Sequence, residues 1–481
     1  MIPKLQKIFW ALFLLSLPVT SFPYFPSVMG GSALVRPLAL YPLAGLLVLM
    51  LISKSYAHAL PRTLLPFFAF VLVALLSSVF ALTRGVDSAF EFSVGDRVLR
   101  NLITLGMGAA FYLVSALTPN TIEDLHSTLR WLYAGFSVAL LWGSLQTVYV
   151  IKLIPAYFDI LKKIQRHISI SKLFPKRITG MAYEPSWFAE QIVFLLMPWL
   201  FAAVLSDYTV FRWRWRRVTL EALLLCWAAI VLMFTYSRTG LAALVLLLFL
   251  AFLLRPRQSK SKTPTVSPRE IPKAQSFSLA ALLIVVLLGI VFIAGGQNKY
   301  FARLWSYWTD EESTGTYVQY IAFSQRFTYW ETAYQVYEDH PVLGVGLGNY
   351  VFYFEDALPD RPLHPTPEML YKLVPEEGRI RVVTVKNFLI RIFTETGLLG
   401  TAAFLSFIVA VLGCALYMWF SPQAEQQYWG RAGLLGLSVF GIVAFSVDSF
   451  AIPNMWVIFG LITASAHLVK RDPVEPSGRC L

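Results

Sequence analysis

Apolar residues run through this chain in about a dozen blocks, each near the roughly 20 residues a helix needs to cross a bilayer. The blocks lie near 8–28, 37–53, 64–82, 101–117, 131–151, 184–205, 218–236, 239–254, 277–296, 397–420, 431–449 and 452–469. The pattern predicts an all-α polytopic membrane protein of about 12 transmembrane helices, without internal repeats. The polar residues between blocks set its orientation. Arg212, Arg214, Arg216 and Arg217 follow the sixth block, and Arg255, Arg257, Lys260, Lys262, Arg269 and Lys273 follow the eighth. Short loops rich in Lys and Arg mark the cytoplasmic side. The parity then puts both ends inside, with Lys4 and Lys7 at one and Lys470 and Arg471 at the other. Pro and Ser between Ser259 and Ser276 mark a linker. The first block resembles a signal peptide, but it lacks a small-x-small cleavage site and reads as a retained helix.

Two larger loops fall on the other face. The chain therefore divides into residues 1–297, a bundle of nine helices with a basic outer loop near 152–181; residues 298–384, a large outer loop; and residues 385–481, three helices and a short tail. The first loop carries Lys152, Lys162, Lys163, Arg166, Lys172, Lys176 and Arg177 against Asp159 alone. A basic run on that side, beside a membrane, points to an anionic ligand. The second loop mixes Asp310, Glu311, Glu312, Glu355, Asp356, Glu376 and Glu377 with Arg303, Arg326, Arg379 and Arg381, and is long enough to cover the outer face.

Composition agrees. Of 481 residues, 57% are hydrophobic and 14% charged, and the mean hydropathy is +0.61, which excludes a soluble domain. The formal charge of +12 is topology signal more than a sign of nucleic acid; the partner is the lipid bilayer. Cys226, Cys414 and Cys480 have neither metal nor disulfide spacing.

Candidate chemistry gathers at the outer lip. Thr235-Tyr236-Ser237-Arg238-Thr239-Gly240 is a turn between two apolar blocks, and an arginine there is costly in lipid and of little use for folding. Arg177-Ile178-Thr179-Gly180 leads into Glu184-Pro185-Ser186, where a proline opens a helix. Arg326 opens a stretch ending in Asp339-His340-Pro341, followed by Gly344-Val345-Gly346-Leu347-Gly348-Asn349. That glycine pattern follows no strand and is not a dinucleotide loop; His340 reads as a helix-end residue. Lys386-Asn387 precedes Arg391 and Glu395, which are four apart and can pair on one helical face. Cations on one face of a membrane protein suggest an anion held there, such as a lipid-linked phosphate.

Together these segments resemble the Wzy_C superfamily, which contains O-antigen polymerases, O-antigen ligases and related oligosaccharyltransferases. The resemblance rests on Ser237-Arg238-x-Gly240, on Arg326 with Pro341-x-x-Gly344-x-Gly346-x-Gly348-Asn349, and on Asn387-x-x-Ile390 with Glu395-x-Gly397-x-x-Gly400; with Arg177 it spans residues 177–400. It implies a GT-C-like bundle in the bacterial inner membrane, with the active site on the periplasmic face and a glycan on undecaprenyl diphosphate as donor. It also implies a chain-length regulator as partner. Ligases of the superfamily carry a histidine, their candidate base, where this chain has Lys386. A lysine near its usual pKa of ~10.4 is charged and cannot accept a proton, so the substitution favours a polymerase over a ligase.

The resemblance assigns Arg238 and Arg326 to a clamp on the departing diphosphate, with Arg177, Lys386 and Asn387 binding substrate. The proton of the acceptor hydroxyl needs a base. Glu184 is the candidate, because Glu395 has Arg391 as a ready partner and reads as a binding residue. Trp305, Trp308, Tyr329 and Trp330 could stack sugars, although core packing is their plainer role. No cofactor and no metal are expected. The alternatives are an O-antigen ligase, a protein O-oligosaccharyltransferase and a polysaccharide or lipid transporter. A transporter usually shows inverted repeats and mid-membrane helix breaks.

Overall fold

The computed structural model describes residues 2–26, 34–53, 60–86, 93–211, 213–215, 218–254, 289, 306–308, 317, 324–359 and 383–471. Helices dominate. α1 (Ile2–Ser16), α2 (Leu40–Ser53), α3 (Leu64–Leu82), α4 (Val94–Leu117) and α5 (Ile122–Ile151) come first, then a shorter α6 (Pro155–Ile168). α7 (Pro185–Glu190) runs through a π-helical turn, Gln191–Leu196, into α8 (Met197–Ser206). A two-residue antiparallel pair, β1 (Arg214–Trp215) and β2 (Val218–Thr219), leads to α9 (Leu220–Met233) and α10 (Arg238–Leu253). The remainder is α11 (Ser324–Asp339), α12 (Tyr350–Tyr353), α13 (Phe388–Trp419), α14 (Ala424–Val443) and α15 (Pro453–Arg471).

Eleven of the twelve apolar blocks overlap one of these helices. The block near 277–296 lies outside the described residues, as do the linker after Leu254, Arg212, Arg216, Arg217, Trp305, Cys480 and most of the large outer loop. Among the described residues five helices are long and apolar enough to cross a membrane: α3, α4, α5, the continuous Pro185–Ser206 and α13. α2, α9 and α10 are apolar but shorter. This is a polytopic helical membrane protein.

Local sequence explains the helix starts. Ser93 with Asp96, and Thr121 with Asp124, form reciprocal capping boxes that open α4 and α5, satisfying amides that a helix leaves unpaired. The first block differs from expectation: α1 stops at Ser16, a turn follows, and Ser21 makes an isolated bridge to Arg36. The α7–α8 helix is almost wholly buried and forms the centre of the bundle. One large apolar core runs through the bundle. A second, smaller core joins Tyr329, Val336, Val345, Tyr350 and Val385, so the described part of the outer loop packs as a cap.

The glycine motif has a mechanical purpose. α13 breaks at Gly397, whose φ of 63° and ψ of −163° are not helical. A break leaves carbonyls and amides unpaired, which is costly away from water. The Pro341–Gly346 loop supplies the partners. Val345 and Gly346 donate to the Thr394 and Glu395 carbonyls at 3.1 and 2.8 Å, while Leu398 and Leu399 donate to Pro341 and Val342 at 2.8 and 3.2 Å. A Cβ on Gly397 would sit 2.4 Å from the Val342 carbonyl oxygen, and one on Gly344 (φ 66°) 2.5 Å from the Thr394 carbonyl oxygen. Only glycine fits where two backbones pass so closely.

Candidate functional site

The turn between α9 and α10 is four residues long, Phe234 to Ser237. Thr235 Oγ1 closes on the Leu232 carbonyl at 2.6 Å, Tyr236 takes a left-handed φ of 48°, and Ser237 caps α10 by accepting from the Gly240 amide at 3.3 Å. Arg238 is the first residue of α10 and is exposed. Amides and helix dipole there favour an anion. Arg177 reaches the same turn: its Nε donates to the Thr235 carbonyl at 2.8 Å, and the Ile178 amide donates to the Phe234 carbonyl at 3.1 Å. The two arginines singled out at residues 177 and 238 therefore flank one turn.

A second group comes from α11, α13 and the segment between α14 and α15. Arg326 donates to the Lys386 carbonyl at 3.2 Å and to the Phe445 carbonyl. Burial lowers its pKa from the ordinary value, and the nearby Glu190 and Asp448 carboxylates push it back up. Lys386 takes a left-handed φ of 54°. Its amide donates to Asp448 Oδ2 at 3.0 Å, and its ammonium lies 5.4 Å from the centre of the Tyr329 ring, within cation–π range. Asn387 caps α13, its Oδ1 accepting from the Leu389 and Ile390 amides at 3.0 and 3.1 Å. In this structure that oxygen serves the helix start.

Glu184 is exposed at the N-terminal cap of α7, where the Ser186 hydroxyl donates to its carboxylate at 3.3 Å. Glu395 is placed differently. It is buried, and Arg391 Nε holds its carboxylate at 2.9 Å, the pair their spacing suggests. Arg391 also donates to Asn101 Oδ1 at 2.5 Å and to the Asp448 carbonyl. Glu395 and Arg391 thus tie the kinked start of α13 to α4. His340 ends α11 and sits edge-on to the Tyr353 ring. Burial, then the charge of Arg84, lowers its pKa, so its imidazole is neutral at pH 7. Tyr329 is fully buried and Trp330 packs on Phe445, whereas Trp308 is exposed.

Sequence reasoning passed over Glu190. It is buried at the last turn of α7, and the Ser446 hydroxyl donates to its carboxylate at 2.5 Å. Ser446 adjoins Phe445, which holds Arg326. α10 also packs tightly on α7 here, since a Cβ on Gly240 would lie 2.8 Å from that of Ala189. Glu190 therefore sits between the Arg177–Arg238 turn and the Arg326 group. The available signal was an acid inside an apolar run, which in a membrane protein is a functional-site candidate. Among the described residues no three His, Cys, Asp or Glu side chains gather as a metal site would need.

No curated protein matches the chain. Arg177, Glu184 and Glu190 precede the stretch a family model recognises, whereas Arg238, Arg326, Lys386, Asn387 and Glu395 fall within it. Residues 222–405 match the Wzy_C family model, described as O-antigen ligase, so that stretch of the chain is similar to the Wzy_C superfamily.

Proposed function

We propose that the protein polymerises oligosaccharide repeat units of an O-antigen or exopolysaccharide, with undecaprenyl diphosphate as lipid carrier. A hydroxyl of one lipid-linked unit attacks the anomeric carbon of the donor glycan. The bond from that carbon to the diphosphate oxygen breaks, and undecaprenyl diphosphate departs with the negative charge. Arg238 and Arg326 stabilise that charge, Arg177 and Lys386 add to the field, and Glu184 accepts the hydroxyl proton. Preorganised cations act in this way because they need no rearrangement as charge develops. The reaction proceeds on the periplasmic face of the inner membrane under the cap formed by the outer loop, and uses no metal.

The observation that best supports this reading is the grip on Arg326. Two backbone carbonyls, of Lys386 and Phe445, fix its guanidinium at the end of the bundle where Arg177 holds the turn leading into Arg238. Lys386 supports polymerase over ligase. It presents an ammonium against the Tyr329 ring where a ligase would need a neutral base. The ligase reading draws its own support from the description of the matched family model.

Purified protein supplied only with lipid-linked repeat units tests the choice. Polymerase activity gives longer lipid-linked chains with neither lipid A core nor acceptor protein present, and a chelator leaves the yield unchanged. Product that forms only when one of those acceptors is added overturns the polymerase reading.

A further inference from the structure

α5 has an outward apolar stripe: Leu141, Leu145, Val148 and Ile151 recur at helical spacing and are 41–72% exposed. In a spanning helix such a stripe faces lipid. Here it does not end with the helix. It continues through Leu153 and Ile154 to Ile160 and Ile164 of α6, which are 56% and 43% exposed and lie four apart on one face. The adjoining face of α6 is packed. Leu161 and Gln165 are buried, Trp142 Nε1 donates to Gln165 Oε1 at 2.8 Å, and the Tyr157 hydroxyl donates to the Leu145 carbonyl at 2.8 Å. These bonds fold α6 back beside the upper turns of α5.

Length fixes the depth. α5 has 30 residues, about 45 Å at 1.5 Å per residue, against a hydrocarbon core of about 30 Å. The polar surplus is the first nine residues, Ile122–Arg130, and the apolar run Trp131–Ile151 is about 31 Å long, so it ends at the headgroup boundary at Ile151 and α6, which starts at Pro155, stands at that boundary. At 100° per residue Lys162 and Arg166 fall on the side of α6 away from Ile160 and Ile164, and Lys163 lies on the flank between them, opposite the buried Leu161 and Gln165. An apolar edge that extends a lipid-facing stripe, with cations on the other side, is the build of an interfacial helix.

We infer that α6 lies at the membrane surface, with its Ile160–Ile164 edge among acyl chains and its Lys162, Lys163 and Arg166 face on the phosphate headgroups of anionic phospholipid. The inference rests on the chain spanning a membrane and not on the reaction proposed above.

The test uses the full chain in nanodiscs, with a nitroxide on Ile164→Cys or on Arg166→Cys after the native cysteines are replaced by serine. Oxygen accessibility should exceed that of a soluble nickel chelate at 164 and fall below it at 166. Spin-labelled phosphatidylglycerol should be immobilised at least about twofold more than labelled phosphatidylcholine, and Lys162→Gln with Lys163→Gln and Arg166→Gln should remove the excess. All these positions are at least partly exposed, and monodispersity on gel filtration reports folding. Equal chelate access at both positions would place α6 in water and overturn the inference. Protection of position 164 from both probes would mean that a second protein copy covers it, which also overturns it. An unchanged phosphatidylglycerol excess in the triple variant would overturn the headgroup assignment. No readout depends on catalysis, so failure here is distinguishable from failure of the proposed reaction.

Discussion

The two ends of the bundle treat cations differently. At the end facing away from the site, charges meet charges: Arg130 pairs with Glu123 at 3.1 Å, His126 with Glu425 at 2.7 Å, Lys7 with Asp124 at 3.7 Å and Arg214 with Asp207. At the site end, Arg177 and Arg326 are gripped by backbone carbonyls of Thr235, Lys386 and Phe445. A carboxylate partner orients a cation and cancels its charge. A carbonyl orients it and brings no net charge of its own, although the Glu190 and Asp448 carboxylates stand near Arg326. Arg391 and Glu395 form an ion pair at the site end as well. It is buried under the kink of α13 and serves to lock backbone, which is a reason to look elsewhere for the proton acceptor.

The largest effect expected from this contrast is the loss of a carbonyl-held or lip arginine. Arg326→Ala and Arg238→Ala should each cost about 3–4 kcal/mol of transition-state stabilisation, a factor of roughly 10² to 10³. The proteins should still insert in the membrane. Arg326→Lys should recover only part, because an ammonium cannot span two carbonyls as a guanidinium fork does. Chain length on a polysaccharide gel, with membrane levels measured in parallel, reads both. Near-normal chains from Arg238→Ala would remove that residue from the clamp.

Glu190 comes next. Glu190→Ala removes a buried charged acceptor and leaves the Ser446 hydroxyl only the Val443 carbonyl at 3.1 Å, which should destabilise the protein by about 1–3 kcal/mol. Glu190→Gln keeps an acceptor for Ser446 and replaces the carboxyl by an amide. We expect the Gln variant to melt near wild type and to lose roughly tenfold in rate, the equivalent of ~1.4 kcal/mol, through its influence on Arg326. A Gln variant with full activity would reduce Glu190 to a packing role.

Much of this arrangement could be read in the chain, and the remainder shows where reading fails. The block at 64–82 coincides with α3 end for end, because a spanning helix must be apolar along its whole length. Arg391 and Glu395 pair as their spacing suggests, because four residues make one helical turn. Glu190 was hidden because its neighbours Ser186 to Leu196 read as ordinary span. Ser446 and Asp448 were absorbed into the block at 431–449, although α14 ends at Val443 and the two bond to Glu190 and to the Lys386 amide. α6 was read as a charge run, since its packed face becomes visible only once Trp142 and Leu145 are beside it. The docking of Val345 and Gly346 on Thr394 and Glu395 joins segments about fifty residues apart, and no local pattern announces such a contact.

The kink offers a comparison within one helix. Gly397 and Gly413 both belong to α13, but an added Cβ meets the Val342 carbonyl at 2.4 Å in the first case and nothing within 4 Å in the second. Gly397→Ala should cost about 1–3 kcal/mol through backbone strain alone. Gly413→Ala should be neutral or stabilise the helix by up to about 1 kcal/mol. Thermal unfolding in detergent distinguishes them, and equal melting temperatures would mean that the clasp on α13 does not constrain the fold.

The smallest effect should come from the opposite end. His126 and Glu425 are in contact at 2.7 Å, and the Tyr208 hydroxyl donates to the same carboxylate oxygen at 3.2 Å. Their side chains are 24% and 40% exposed, so water and salt screen the pair, and such pairs contribute about 0.2–1 kcal/mol. Glu425→Gln keeps an acceptor for both neighbours and removes only the charge. It should shift stability by less than about 1 kcal/mol, and less still at high salt, while polymer length stays at the wild-type value. This variant tests the placement of the chemistry most directly, because it alters a charge in the same bundle at the other end. If Glu425→Gln melts normally but makes no polymer, the paired end takes part in the reaction, and the contrast between carbonyl-held and carboxylate-paired cations no longer locates the site.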